Sequence, residues 1–209
     1  MWNVPLLRLD LGALYNKFHG ETERNLRDSL AMAEKMAPCV LWMDEIEKGL
    51  STDNSDSGTS QRVLGTLLTW LAEKQAPVFV VATSNDISKL PPELIRKGRL
   101  DELFFVDLPD EKTREIIFKI HLEKRELDTA SFNLSELATA TEGFTGAEIE
   151  QAIVAAVYSG LSMSDTSGVS VTQELLVHEL RSTAPLSVVM AERLAGLRQW
   201  ADERNMVRV

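Results

Sequence analysis

The chain has 209 residues, 44% of them hydrophobic and 26% charged, which suits one globular domain with or without a small companion rather than a disordered segment. Its formal net charge of -10 argues against non-specific nucleic-acid binding, because phosphate attraction needs a basic surface. A single cysteine, Cys39, excludes disulfides within the chain; histidines scattered at 19, 121 and 178 speak against zinc, and no apolar run is long enough to span a bilayer, so a soluble intracellular protein is expected.

In chain order, "VPLLRLDL" reads as a strand, followed by a helix over Glu21–Ala37 with Leu26, Leu30, Ala33 and Ala37 on one face. Gly20 opens that helix, acids crowd its first turn, and Pro38 closes it. "APCVLWM" and "APVFVVATS" predict two further buried strands, separated by a flexible "STDNSDSGTS" loop and a helix near Gln61–Lys74. "LFFVDLP" predicts a fourth strand. Strands alternating with helices imply βα units and a parallel sheet, whose ligands collect at the carboxyl ends of the strands.

From Pro109 onward helical patterns take over. "DEKTREIIFKIHLEKREL" predicts a helix with Ile116, Ile117 and Ile120 inward, and "TGAEIEQAIVAAVYSG" one with Ile149, Ala152, Ile153, Ala156 and Val157 on one face. A last helix after Pro185 would use Met190, Leu194, Leu197 and Ala201. The expected organisation is therefore an α/β part over residues 1–109 and an all-helical part over 110–209.

Three short stretches carry chemistry. The strand "CVLWM" runs straight into Asp44 and Glu45. Such a pair can hold Mg²⁺ through the first carboxylate and polarise an attacking water through the second, or it can simply begin a solvated turn. "VFVVATSND" ends in Asn85, which could orient the same water or touch a terminal phosphate, or could merely cap a loop. "LPPELIRKGRLDELFFVDLPD" sets Arg96 and Arg99 three apart beside a glycine, as a clamp on a transferring phosphoryl group or as two surface arginines in a turn.

The three stretches occur together and in order, and in this the sequence resembles the AAA-type ATPases, ring-forming machines with a large α/β part and a small helical lid. "VLWMDE" looks like their Walker B segment, "ATSN" like sensor 1, and "LPPELIRKGRLDELFFVDLPD" like their second region of homology. "HGETERNLRDSLAMAEKMAPCVLWMDEIEKG" follows the same family from its pore loop into Walker B. The similarity extends to a subfamily found in cyanobacteria and algal chloroplast genomes, through "WNVPLLRLDLGALY", "DEIEKG" and "PLSVVMAERLAGLRQWA".

The resemblance implies ATP and Mg²⁺ as cofactors, with Asp44 serving the metal, Glu45 activating water and Asn85 sensing the γ-phosphate. Arg96 and Arg99 would be arginine fingers reaching a neighbouring subunit's nucleotide. His121 matches a lid histidine near the base and ribose, and Gly146 and Ala147 match the lid turn that approaches adenine. Read without the family, His121 is a half-buried helix residue and Thr145 caps an ordinary helix start. Phe18 lies where the family places a pore aromatic that grips polypeptide, although His19 replaces the usual aliphatic residue after it. Leu100 stands where the family usually has phenylalanine.

No G-x-x-x-x-G-K-S/T occurs in the 209 residues, so the loop of backbone amides and lysine that cradles phosphates is missing from them. The expected fold class is thus α/β, a truncated parallel sheet of the P-loop type without its Walker A strand and helix, followed by a helical lid. The expected function is a portion of an ATPase that remodels a protein partner, as a homo-oligomeric ring when full-length. Neither membrane nor nucleic acid is expected as a partner, and the location would be the cytoplasm, or the chloroplast stroma if plastid-encoded. The alternative is an assembly or interaction module that hydrolyses nothing itself and lends arginine fingers in trans.

Overall fold

The computed structural model describes residues 3–14, 21–50, 57–163 and 171–209, and divides the chain into two compact units, Met1–Leu103 and Phe104–Val209. Residues 51–56 of the expected "STDNSDSGTS" loop and the residue Phe18 lie outside the described residues.

The first unit is built on three parallel strands in the order β1 (Leu6–Leu9), β2 (Cys39–Met43), β3 (Val78–Ala82). Two crossovers join them, one through helix α1 (Glu21–Lys35), the other through the short helix α2 (Glu47–Leu50) and helix α3 (Ser57–Glu73). Successive crossovers of one hand in one direction bring both long helices to the same face of a sheet. Leu26, Leu30 and Ala33 of α1 and Val63, Leu67 and Leu71 of α3 accordingly share one core with Leu9, Cys39, Leu41, Met43 and Val78. Helix α3 starts four residues before the expected Gln61, because "SGTS", loop-like by composition, is drawn into the first turn of a helix anchored by that apolar face.

The sequence predicts "APVFVVATS" as a buried strand, and the structure corrects this. Phe79 is 56% and Val81 39% exposed, while Val78, pointing the other way, is buried. Among the described residues β3 is an edge strand, and its residues alternate between the helix-covered face and the opposite one. That opposite face also carries Leu6, Arg8, Val40 and Trp42, in register with Phe79 and Val81.

"LFFVDLP" is also corrected. Only Phe104–Phe105 form a strand (β4), and they pair in parallel with β5 (Val207–Arg208), forming a separate two-stranded ladder. The second unit is otherwise helical: α4 (Glu111–Glu123), α5 (Leu134–Ala140), α6 (Gly146–Met163), α7 (Gln173–Ser182), α8 (Leu186–Val189) and α9 (Ala191–Glu203). Its core joins Phe118 and Leu122 of α4 to Ile149, Ala152, Ile153 and Ala156 of α6 and to Leu176 and Leu180 of α7.

Two helix faces differ from expectation. In α4, Ile116 and Ile120 are exposed at 57% and 52%, and the buried positions are Arg114, Phe118 and Leu122, four apart. Phe118 and Leu122 enter the core on this face, and Arg114 beside them donates to Ala138 O at 2.9 Å and Pro109 O at 2.7 Å, partners that a buried charge requires. The expected helix after Pro185 is broken at Met190 (φ −119°, ψ 30°), so Met190 is an exposed junction between α8 and α9 and not a core residue. No helix among the described residues is long and apolar enough to cross a membrane.

Candidate active site

Strands β2 and β3 are in register from Cys39↔Val78 to Met43↔Ala82, so the residues that follow them, Asp44–Glu47 and Thr83–Asn85, emerge side by side. The ladder continues past the strand ends: Thr83 N–H donates to Met43 O at 2.9 Å and Ile46 N–H to Thr83 O at 3.0 Å. Of the expected catalytic residues, Asp44, Glu45 and Asn85 are thereby brought together.

Asp44 accepts from the Thr83 hydroxyl at 2.6 Å through Oδ1, and its Oδ2 lies 3.3 Å from the Arg8 guanidinium. Arg8 also sits over the Trp42 ring, 5.0 Å from its centroid, which fixes a positive charge beside the carboxylate. Glu45 accepts from Asn85 Nδ2 at 2.7 Å through Oε1 and from Lys48 Nζ through Oε2. That hydrogen bond raises the Lys48 pKa, burial opposes it, and the charges of Glu45, Glu47 and Asp10 add to it, so the ammonium is held charged beside the carboxylate. Glu45 itself has φ +49°, a left-handed conformation that non-glycine residues hold only where their surroundings over-determine it.

Asn85 is fixed at two points. Its side chain reaches Glu45, and its backbone N–H donates to Glu47 Oε1 at 3.1 Å. Glu47 is buried at 7% exposure, and its Oε2 has no hydrogen-bond partner among the described residues. Sequence reasoning missed Arg8, Thr83, Glu47 and Lys48. The available signals were the threonine opening "TSND" and the third acid of "DEIEKG".

The remaining expected residues lie elsewhere. Arg96 is exposed, and half-buried Arg99 donates from Nη1 to Glu93 O at 2.7 Å, a contact local to their own turn, where Gly98 takes φ +89°. His121, Gly146 and Ala147 belong to the second unit. His121 Nδ1 lies 3.2 Å from Glu150 Oε1, which Arg125 also reaches at 3.0 Å. Arg125's hydrogen bond holds the Glu150 carboxyl below the usual range, against burial and with help from the charges of His121, Lys124 and Arg125. Gly146 starts α6 and Ala147 is exposed in its first turn. The Thr145 hydroxyl accepts from Glu148 N–H at 3.3 Å and Glu148 Oε2 accepts from Thr145 N–H at 2.7 Å, a reciprocal capping box.

The donor set suits Mg²⁺ held by one carboxylate. No group of three or more metal-binding side chains exists among the described residues, and Mg²⁺ commonly takes one or two carboxylates with water and substrate oxygens completing its shell. Asp44 offers a hard oxygen in a position that already accommodates the positive charge of Arg8. The 209 residues do not provide a phosphate cradle of the G-x-x-x-x-G-K-S/T type.

Comparison with known proteins bears on the family of the chain. The chain is 44% identical over 203 residues to the AAA domain-containing protein ycf46 of Guillardia theta, covering 96% of this chain and 39% of that protein. It is 39% identical over 141 residues to the cell division cycle protein 48 homolog of Archaeoglobus fulgidus, covering 66% and 19%. With the proteasome-activating nucleotidase of Saccharolobus solfataricus the identity is 38% over 166 residues, covering 76% and 42%. The chain spans about two fifths of the length of the ycf46 relatives it matches. Residues 131–162 match the AAA+ lid domain, so the parallel-sheet unit is followed by a helical lid. Residues 1–108 match the ATPase family associated with various cellular activities (AAA), and the chain belongs to that family.

Proposed function

We propose that this chain is the hydrolytic and lid portion of an ATPase that couples Mg²⁺-dependent ATP hydrolysis to the remodelling of a protein partner. The observation that carries the reading is the Glu45–Asn85 hydrogen bond of 2.7 Å beside Asp44, three polar groups aimed from adjacent strand ends. Asp44 would hold Mg²⁺, which supplies charge neutralisation at the phosphates. Glu45 accepts a proton from the attacking water at its carboxylate. The Asn85 amide orients Glu45 and, in the same reading, senses the terminal phosphate. His121, Gly146 and Ala147 contribute the lid's contacts to adenine, Phe18 grips polypeptide in a central pore, and the protein works as a homo-oligomeric ring in the cytoplasm or, if plastid-encoded, the chloroplast stroma. Arg96 and Arg99 act on the nucleotide of the next subunit.

The alternative is an assembly module that lends those arginines without turning over ATP itself; residues 1–209 hold no G-x-x-x-x-G-K-S/T, so the two readings part on whether the full-length protein hydrolyses ATP. The deciding experiment measures ATP binding by calorimetry on residues 1–209, and Mg²⁺-dependent hydrolysis in the full-length protein that carries them. Weak or absent binding by the chain with turnover by the full-length protein is expected. Micromolar binding by residues 1–209 would mean that other residues hold the phosphates. A full-length protein that assembles but never hydrolyses ATP would leave the assembly reading.

A further inference from the structure

We propose that Thr83 is a positioning residue, whose single hydroxyl sets the geometry of both carboxylates at the strand ends. The catalytic meaning of this rests on the proposed ATPase reading; the geometry does not. A hydroxyl has one proton to give and lone pairs to accept with. The Asp44 carboxylate accepts the Thr83 proton at 2.6 Å, and the Glu45 backbone N–H donates to the same oxygen at 3.1 Å. The directions are unambiguous, since an ionised carboxylate only accepts and an N–H only donates. One oxygen thus ties the side chain of Asp44 to the backbone of Glu45.

The two peptides flanking Glu45 are both anchored to Thr83. Glu45 N–H meets its hydroxyl, and Ile46 N–H meets its carbonyl at 3.0 Å. Glu45 between them takes φ +49°, the conformation that turns its carboxylate toward Asn85 Nδ2. A left-handed non-glycine residue relaxes unless held, and these two bonds hold it. Threonine suits the task better than serine because β-branching restricts χ1, so the hydroxyl is aimed before its partners arrive. Thr83 also leaves Asp44 Oδ2 clear of its own contact, facing Arg8 and open to exchange that partner for a metal ion.

The test compares Thr83→Val, close in shape but without the hydroxyl, with Thr83→Ser, which keeps it. In ¹⁵N spectra of residues 1–209, Thr83→Val should shift the Glu45 amide and the Asn85 side-chain amide and speed Glu45 amide exchange up to about tenfold, as loss of one neutral hydrogen bond implies. Leu41 and Val80 in the sheet should keep their exchange rates, and Thr83→Ser should restore most of the wild-type pattern. Unchanged Glu45 and Asn85 resonances in Thr83→Val would overturn the proposal. If valine disturbs the sheet as well, Thr83→Ala takes its place with the same two outcomes. In the full-length protein, Thr83→Val should lower kcat about tenfold with KM for ATP unchanged, and Thr83→Ser should recover it. Equal losses in the valine and serine variants would also overturn the proposal. A wild-type protein that does not hydrolyse ATP would remove the ATPase reading, while the amide measurements still decide what Thr83 does.

Discussion

Asn85 Nδ2 donates to Glu45 Oε1 at 2.7 Å, bridging two residues that are 40 apart in sequence and meet only because β2 and β3 are parallel neighbours. The bond fixes Oε1 of the carboxylate, and Lys48 Nζ holds Oε2, so both oxygens have a set direction. Glu45→Gln keeps the oxygen that faces Asn85 and removes the base. Turnover by the full-length protein should fall about a hundred- to ten-thousandfold, the span for loss of a positioned general base, with nucleotide affinity preserved. Asn85→Ala should lower turnover less, because it loosens the carboxylate but leaves it in place. Steady-state ATPase assays paired with equilibrium nucleotide binding check both, and wild-type turnover in Glu45→Gln would remove Glu45 from the mechanism.

Arg96 and Arg99 sit in one turn with Gly98 at φ +89°, and the Glu93 carbonyl braces Arg99. If they serve a neighbouring subunit, the damage done by Arg96→Ala or Arg99→Ala is separable from the damage done by Glu45→Gln. Mixing the two kinds of mutant subunit should then recover activity above either parent, because some interfaces combine an intact carboxylate with an intact arginine. Titrating the mixing ratio in an ATPase assay measures this, and no recovery at any ratio would assign the arginines a role within their own subunit.

The sequence made the parallel sheet, the helical second half and the convergence of Asp44, Glu45 and Asn85 legible, because each follows from periodicity or from residues placed at the end of a strand. Other features depended on tertiary partners that no local pattern encodes. Ile116 and Ile120 look as apolar as Phe118 and Leu122, but it is Phe118 and Leu122 that meet the core residues of α6 and α7, with Arg114 satisfied by the carbonyls of Pro109 and Ala138 on the same face. Phe104 and Phe105 have strand character, yet their ladder partner lies about a hundred residues later at Val207 and Arg208. In the site, Thr83 and Glu47 act through hydrogen bonds to the backbone of Glu45 and Asn85, and a backbone donor leaves no mark in the sequence.

Gly143 shows how closely the second unit is packed around the turn that precedes α6. Its φ is +82°, and a Cβ at this position would lie 2.4 Å from Ser187 Oγ at the start of α8. Gly143→Ala therefore combines a disfavoured backbone conformation with a clash, and should destabilise the protein by about 1–3 kcal/mol. Adding Ser187→Gly should return part of that loss by removing the clashing atom and leaving only the backbone cost. Urea denaturation of the single and double variants measures the coupling. A double variant no more stable than Gly143→Ala would show that the conformation alone accounts for the loss.

Asp107 gives the second unit a pH dependence with a definite sign. Burial pulls its pKa up, but Arg198 outweighs this with Nε at 3.0 and 2.9 Å and Nη2 at 2.7 Å, and the Leu108 N–H and the charges of Arg198 and Arg208 assist. The net effect is a carboxyl held below the usual range. Unfolding returns it to an ordinary value of about 3.9, so across the interval the unfolded chain binds more protons. The stabilisation is complete above that value and drains away as pH falls through it toward the folded value. Asp107→Asn should cost about 1–2 kcal/mol at pH 7, where the bidentate pair is intact, with partial exposure of Arg198 keeping the figure modest. The gap between wild type and variant should narrow steadily below about pH 4. Denaturation midpoints collected from pH 7 down to pH 3 test this, and a gap that stays constant across the range would mean that Asp107 contributes through shape and not through its charge.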